Sequence, residues 1–488
     1  MQHITLAGVT ISLGCLAATV AASPQNYESQ AYCSQTISRD VAVIGGGASG
    51  AHAAVWLRDN GHSVVVVEKA SQLGGHTNFY HDPATGKDLN VGVQGWMQYR
   101  NSYDFPHRMN VSTDGAMSMT PNTNNFINYK TGKPTSYTPP SNSEAYAALQ
   151  RYLAVLERYE DMVLPGFFKF PDPASIPEDL LMPFVDFVKK YNLEAAVPTL
   201  WDATAMGLGD TMNVPTVWVM QACGAPFARA LLGLVPSVVP PSGRIYDLYE
   251  AVAKFLGKDV LYSSTVVSAT RPTNLKQKVS LKVKNNKGAV TCIEAKRLLI
   301  AIEPTPENMA PFNLDKNEQS VLFKFQYPTV YAAVLRHPSL QPLNAYSNRV
   351  PSAAQQNNTE FPVAPQLGRI EYIGGTEDLF LLTAVGTAKD TTESMKDLVN
   401  KQVNTMICAG TLPATGKGKK VAFPMFSNHG KMHAHVSADE LRGGFLQKLY
   451  ALQGPRNTWY TGAAFSAGFS TVLWEFNKEL LPKVVEGL

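Results

Sequence analysis

The sequence predicts an α/β fold, and three features of its first hundred residues carry the prediction. Asp40 to Ile44 is an apolar strand that runs directly into Gly45-Gly46-Gly47-Ala48-Ser49-Gly50. A helical stretch to about Asn60 follows, and Ser63 to Val67 supplies a second strand ending at Glu68. Gln72-Leu73-Gly74-Gly75-His76-Thr77 then brings another glycine pair to the same end of the sheet. Strand, bare turn, helix and strand make a βαβ unit of the Rossmann-like kind.

Each residue of that turn has a task. Gly45 makes the bend, Gly47 lets phosphates reach backbone N–H groups at a helix N-terminus, and Gly50 lets the helix lie close on the strand. Glu68 stands 18 residues beyond Gly50, near the ~20-residue spacing of a carboxylate that takes ribose hydroxyls. A dinucleotide site is therefore expected. NAD does not need a second bare turn, whereas the longer FAD can lie against Gly74 and Gly75. FAD is the expected cofactor, although a Gly-Gly turn after a strand also occurs for purely local reasons.

Beyond His81 the texture changes. Tyr103 to Ser141 is rich in Asn, Thr, Ser, Pro and Tyr and predicts loops or hairpins. Ser143 to about Met162, and Pro177 to Tyr191, carry apolar residues at helical spacing and suit a cap. Between Pro198 and Pro241 the chain is strongly apolar, with Trp201, Met206, Met212, Trp218, Met220 and Phe227. Such residues pack a core or line an apolar pocket. A helix is expected from about Ser242 to Leu256, then strands at Val260 to Thr270 and Val279 to Lys284. Ala295 to Ile302 predicts a fully buried strand at the centre of a parallel sheet. About Glu318 to Asn404 suits short strands and loops of a mixed sheet, and the end of the chain a helix from Ser470 to Leu481.

Glycine turn, ribose acid and following Gly-Gly resemble the flavin-containing amine oxidase superfamily, with Gly74-Gly75-His76-Thr77 departing from its commoner Gly-Gly-Arg. The nearer likeness is to the fungal β-cyclopiazonate dehydrogenase family, which is also similar to polyenoic fatty acid isomerases. Gly92-Val93-Gln94 resembles the stretch passing the flavin ring, and Thr265 to Ala269 the strand whose valine, here Val266, holds adenine through its backbone. Asn457 to Ala464 followed by Phe469 to Phe476 resembles the closing flavin segment, with Gly462, Ser470 and Thr471 at the cofactor. The resemblance implies a Rossmann-like FAD-binding domain of glutathione-reductase and amine-oxidase type, carrying an inserted mixed-sheet and helical substrate domain. The expected division is 38–102, 240–312 and 425–488 for the former, and 103–239 and 313–424 for the latter.

With 488 residues, 45% apolar and 17% charged, the chain is an ordinary globular sequence long enough for two domains. A net charge of +3 and one short basic run, Lys417 to Lys420, exclude a nucleic-acid partner from expectation. Ile4 to Ala22 is apolar and ends in Val20-Ala21-Ala22, which predicts a signal peptide over 1–22 despite a start without Lys or Arg. An uncleaved anchor is the competing reading; after leader removal no stable span is expected. The expected location is the secretory pathway, secreted or in an endomembrane lumen. There Asn110-Val111-Ser112 and Asn357-Asn358-Thr359 would be glycosylation acceptors. Cys33, Cys223, Cys292 and Cys408 are scattered, so buried free thiols are expected, with one bridge as the alternative.

The reaction is expected where flavin meets substrate. Phe469 stands where the superfamily often has tyrosine, and Ala464 where many members have glutamate. Both departures favour an apolar substrate over an amine. Gln94 is the polar candidate beside the flavin face and His429 or His433 the candidate base, with a packed or surface histidine as the alternative; His76 is expected to touch the diphosphate. Lys324 lies in the region of the superfamily lysine, with a solvent-facing role as the alternative. Strand alternation would put His433 and His435 on one face, yet no carboxylate or cysteine accompanies them and no metal is expected. Trp459 and Tyr460 are expected to pack beneath the flavin. The resemblance implies an FAD-dependent oxidoreductase taking a hydride from a hydrophobic small molecule in fungal secondary metabolism, with oxidative cyclisation to follow and oxygen as acceptor. A redox-neutral double-bond isomerase and a flavin amine oxidase are the alternatives.

Overall fold

The computed structural model describes residues 33–117, 120–350, 358–374 and 378–488. The expected leader and the acceptor Asn357 lie outside them. Strand β1 (Gln35–Ile44), helix α1 (Ala48–Asp59) and strand β2 (Val64–Val67) form the opening βαβ unit. β1 pairs in parallel with β2 on one side and with Val290–Ile300 on the other. Val41, Ala42, Val43, Leu298, Leu299 and Ile300 are wholly buried. Their unbroken apolar run reflects a sheet covered on both faces.

This seven-stranded sheet extends past β2 to Val260–Leu261, and past Val290–Ile300 to the antiparallel strands Val279–Asn285 and Ser264–Thr270. Thr458–Tyr460 joins the C-terminal end of the central strand in parallel. The Val260 to Thr270 region is two strands, broken where Ser263 takes φ 48°. The closing helix, Ser470–Val485, lies against α1, and Asn477 Nδ2 donates to Ser49 O at 2.8 Å.

A second seven-stranded sheet runs Ala422–Lys431, Thr329–Arg336, Leu379–Gly386, Gln366–Gly374, Asn344–Asn348, Thr123–Asn128, Lys133–Pro134. It is mixed: Asn344–Asn348 and Thr123–Asn128 are parallel and the other neighbours antiparallel. One part of the expected strand-and-loop region is instead the long helix Thr392–Cys408, started by a Thr391/Ser394 capping box. Its Met395, Val399, Val403 and Met406 cover this sheet's core face. The cap is helical: Asn142–Leu156, begun by a Ser141/Glu144 capping box, then short helices including Phe184–Tyr191, Val197–Ala203, Thr216–Ala222 and Ala225–Leu231. Among the described residues no helix is long and apolar enough to cross a membrane.

The cysteines correct the sequence reading in part. Cys33 and Cys292 form a disulfide, their Cα atoms 5.5 Å apart, while Cys223 is a buried thiol and Cys408 an exposed one. Parallel pairing sets Thr36 beside Cys292, which brings together residues 259 positions apart. Closing so long a loop stabilises a fold by about 2–4 kcal/mol in typical cases. The Cys33→Ser/Cys292→Ser double variant is expected to lose about that much in non-reducing urea titrations. A midpoint equal to that of the wild type would show the bridge to be idle.

Candidate active site

A cavity of about 1900 Å³ opens at the C-terminal ends of the parallel strands and continues under the cap and second sheet. Ordinary small-molecule sites occupy ~300–1,000 Å³, so this one has room for a dinucleotide and a further molecule. At its nucleotide end the two bare turns meet. Gly74 N donates to Gly46 O at 2.9 Å, and a Cβ on Gly75 would stand 3.0 Å from Gly47 Cα. Gly45 takes φ +99°, and a Cβ there would lie 2.7 Å from Ile302 Cγ2. Gly50 does not line the cavity; a Cβ on it would fall 1.8 Å from Gly45 O, so its role is helix–strand contact.

Glu68 is buried with both oxygens engaged, accepting from Gly46 N and Ala70 N, each at 2.7 Å. Its carboxylate thus pins the first turn at the base of the cradle. No side chain caps α1, whose N-cap is Gly47. Its terminal N–H groups therefore face the cavity as an anion site. Ser49 also lines it, with a buried Oγ that has no hydrogen-bond partner. The motif reading passed over Ser49, although it stands between Gly47 and Gly50. Val266 lines the cavity, beside a bulge between Val266 and Ser268.

The closing helix supplies a second uncapped N-terminus. Its N-cap is Phe469, without a side-chain cap, and Ser470, Thr471 and Gly462 line the cavity. Phe469 stacks on Phe227 of the cap, ring centroids 5.5 Å apart. Gln94 is an exposed cavity-lining residue whose Nε2 donates to Asn90 O at 3.1 Å. Met206, Trp218 and Phe227 line the cavity, whereas Trp201, Met212 and Met220 are in the packed core.

His76 and His429 meet at 5.3 Å between ring centroids, in a contact that a Cβ on Gly92 would destroy, being 2.5 Å from His429 Cε1. Burial holds His429 down at about 3 and His76 and His433 at about 4, so all three rings are neutral at pH 7. His76 lines the cavity directly after Gly75, its ring against that of His429. His433 and His435 do not share a strand face: the strand ends at Lys431, His433 takes φ 51°, and its ring packs on Gly207. Among the described residues no group of three His, Cys, Asp or Glu is placed to hold a metal.

Three further expectations are revised. Lys324 forms a surface ion pair with Glu440 and does not line the cavity. Trp459 lies under the Arg297 guanidinium, and Tyr460 donates its hydroxyl to Glu318 at 2.9 Å, both off the cavity. Strand pairing of Thr458–Tyr460 with Val290–Ile300 buries them in the sheet core instead.

Residues 43–108 match the NAD(P)-binding Rossmann-like domain family. The chain is 33% identical over 458 residues to beta-cyclopiazonate dehydrogenase of Aspergillus oryzae, covering 92% of this chain and 93% of that protein. It is 32% identical to FAD-dependent oxidoreductase pigF of Monascus ruber, over 98% of each. This chain belongs to that family of FAD-dependent oxidoreductases. Its fold is shared with a CLA-producing fatty acid isomerase from P. acnes (TM-score 0.67, 18% identity, 91% of this chain and 98% of that one). Putrescine oxidase shares it as well (TM-score 0.56, 16% identity, 92% and 100%). The family's FAD fits the residues present: two bare turns in contact, two uncapped helix N-termini lining the cavity, and an orphaned Ser49 hydroxyl.

Proposed function

We propose that this enzyme removes a hydride from a hydrophobic small molecule, in an oxidation or oxidative cyclisation of fungal secondary metabolism. Bound FAD supplies the two-electron acceptor, with oxygen restoring it. The observation that carries the reading is the composition of the cavity's far half. Phe227, Phe469, Met206, Trp218, Leu231, Val330, Leu381 and Val385 form its walls. Its carboxylates Asp202 and Glu371 are already matched, by Arg349 and Arg369. A cationic amine would find little free negative charge there, whereas an apolar substrate is held by shape and kept from water that would quench a cation. Location in the secretory pathway is part of the proposal, supported by the Cys33–Cys292 bridge.

The test is anaerobic mixing with apolar candidate substrates. The expected outcome is loss of the yellow absorbance, stable until oxygen is admitted. Many turnovers with the spectrum restored would replace this reading by a redox-neutral isomerase. Response to amines alone would replace it by amine oxidation.

A further inference from the structure

Glu303 belongs to none of the motifs, yet it stands where the central strand delivers the chain to the cofactor cradle. Ala301 and Ile302, just before it, pack on the first glycine turn: a Cβ on Gly45 would lie 2.8 Å from Ala301 O, and one on Gly50 3.3 Å from Ala301 Cβ. Glu303 comes next, within about 10 Å of that turn at ~3.3 Å per residue. Its side chain lines the cavity, and its Oε2 is buried without a hydrogen-bond partner. Burial pushes its carboxyl up to about 7.

The groups around it do not titrate in the same range. Tyr327 faces it, its phenol pushed far up by burial and by Glu303 itself. Glu307 is held at about 2 by backbone and Lys431 hydrogen bonds. His76, His429 and His433 lie at about 3 to 4; the other charged lining residues are Glu68, Lys69, Asp88, Asp202, Arg369, Glu371 and Lys431. With His76 neutral, a diphosphate at that turn would be held by backbone N–H groups and helix termini. A carboxylate charge within about 10 Å of a diphosphate at that turn would weaken its binding by roughly tenfold or more.

We propose that Glu303 is the proton-linked element of the cofactor site: FAD binding converts its carboxylate to a carboxylic acid, with one proton taken from solvent. The proposal rests on the FAD reading above. It predicts that flavin dissociation from the holoprotein, followed by fluorescence recovery, strengthens by about tenfold between pH 6 and pH 9. Glu303→Gln should bind with nearly the same affinity across that range. Calorimetry of FAD rebinding at pH 7.5, in two buffers of different ionisation heat, should register uptake of about half to three quarters of a proton in the wild type. An unchanged pH slope in Glu303→Gln overturns the proposal. Should that variant not fold, zero proton uptake by the wild type overturns it equally. Protein that holds no flavin at any pH would defeat the FAD reading itself, a result distinct from flavin bound without pH dependence.

Discussion

Purified Gly50→Ala protein is expected to be colourless and to melt far below the wild type. The added Cβ would sit 1.8 Å from Gly45 O and 2.9 Å from Gly45 C, both backbone atoms, so no rotamer change relieves it. α1 must move off β1, but the helix is held from the other side, where Asn477 Nδ2 bonds Ser49 O at 2.8 Å. Overpacking of this kind costs about 3 kcal/mol or more. Gly47→Ala is the informative contrast. Its Cβ would be 3.6 Å from Gly75 Cα, an ordinary contact, so the fold should survive with a methyl group inside the cradle. Flavin absorbance per protein and melting temperature read the two effects separately: Gly50→Ala loses both, Gly47→Ala chiefly the first. Full yellow colour in Gly50→Ala would mean that the close helix–strand approach is not what builds the site.

The nucleotide half was legible because its constraints act on the backbone. Only glycine satisfies φ +99° at Gly45 and the 3.0 Å approach between the two turns, and such demands leave a local trace in sequence. The central strand was legible for a related reason, since burial on both faces leaves no room for polar alternation. Helix Thr392–Cys408 was not. Its apolar residues occupy a narrow stripe among Lys, Asn, Thr and Gln, because only one face meets the second sheet. The disulfide was hidden by its 259-residue separation, which only strand register closes.

At the site, legibility followed the same division. Glycines that let two turns meet were readable, and side chains whose setting comes from burial were not. Glu303 followed by proline looks like any loop carboxylate until the strand before it is placed against Gly45. His433 looked like part of a strand with His435, but it sits at φ 51° with its ring against Gly207, far away in sequence. The apolar cap residues divided between core and cavity in a way that composition does not encode: Trp218 lines the cavity, while Trp201 stacks on Phe361.

Buried histidines make the second large prediction, a loss of stability in mild acid. His52 is held at about 3 by burial between Phe105 and Asn477, and His429 at about 3 beside His76. Unfolded, each would take a proton near 6.5, so between pH 6.5 and pH 3 the unfolded chain binds more protons and stability falls as pH is lowered. At about 1.4 kcal/mol per unit, each costs about 2 kcal/mol by pH 5. His76 and His433, half-buried and near 4, add smaller amounts in the same direction. Glu303 opposes them, since its raised pKa makes the folded state the better proton binder between 4.5 and 7. Its gain by pH 5 is at most about 3 kcal/mol, reduced by its partial exposure. The histidines therefore win, and urea unfolding at pH 5 should show about 2–3 kcal/mol less stability than at pH 7.5. His429→Gln should remove roughly 2 kcal/mol of that difference, because an amide of similar size has no proton to gain. Equal stability at the two pH values would mean that these rings open to water before they are charged.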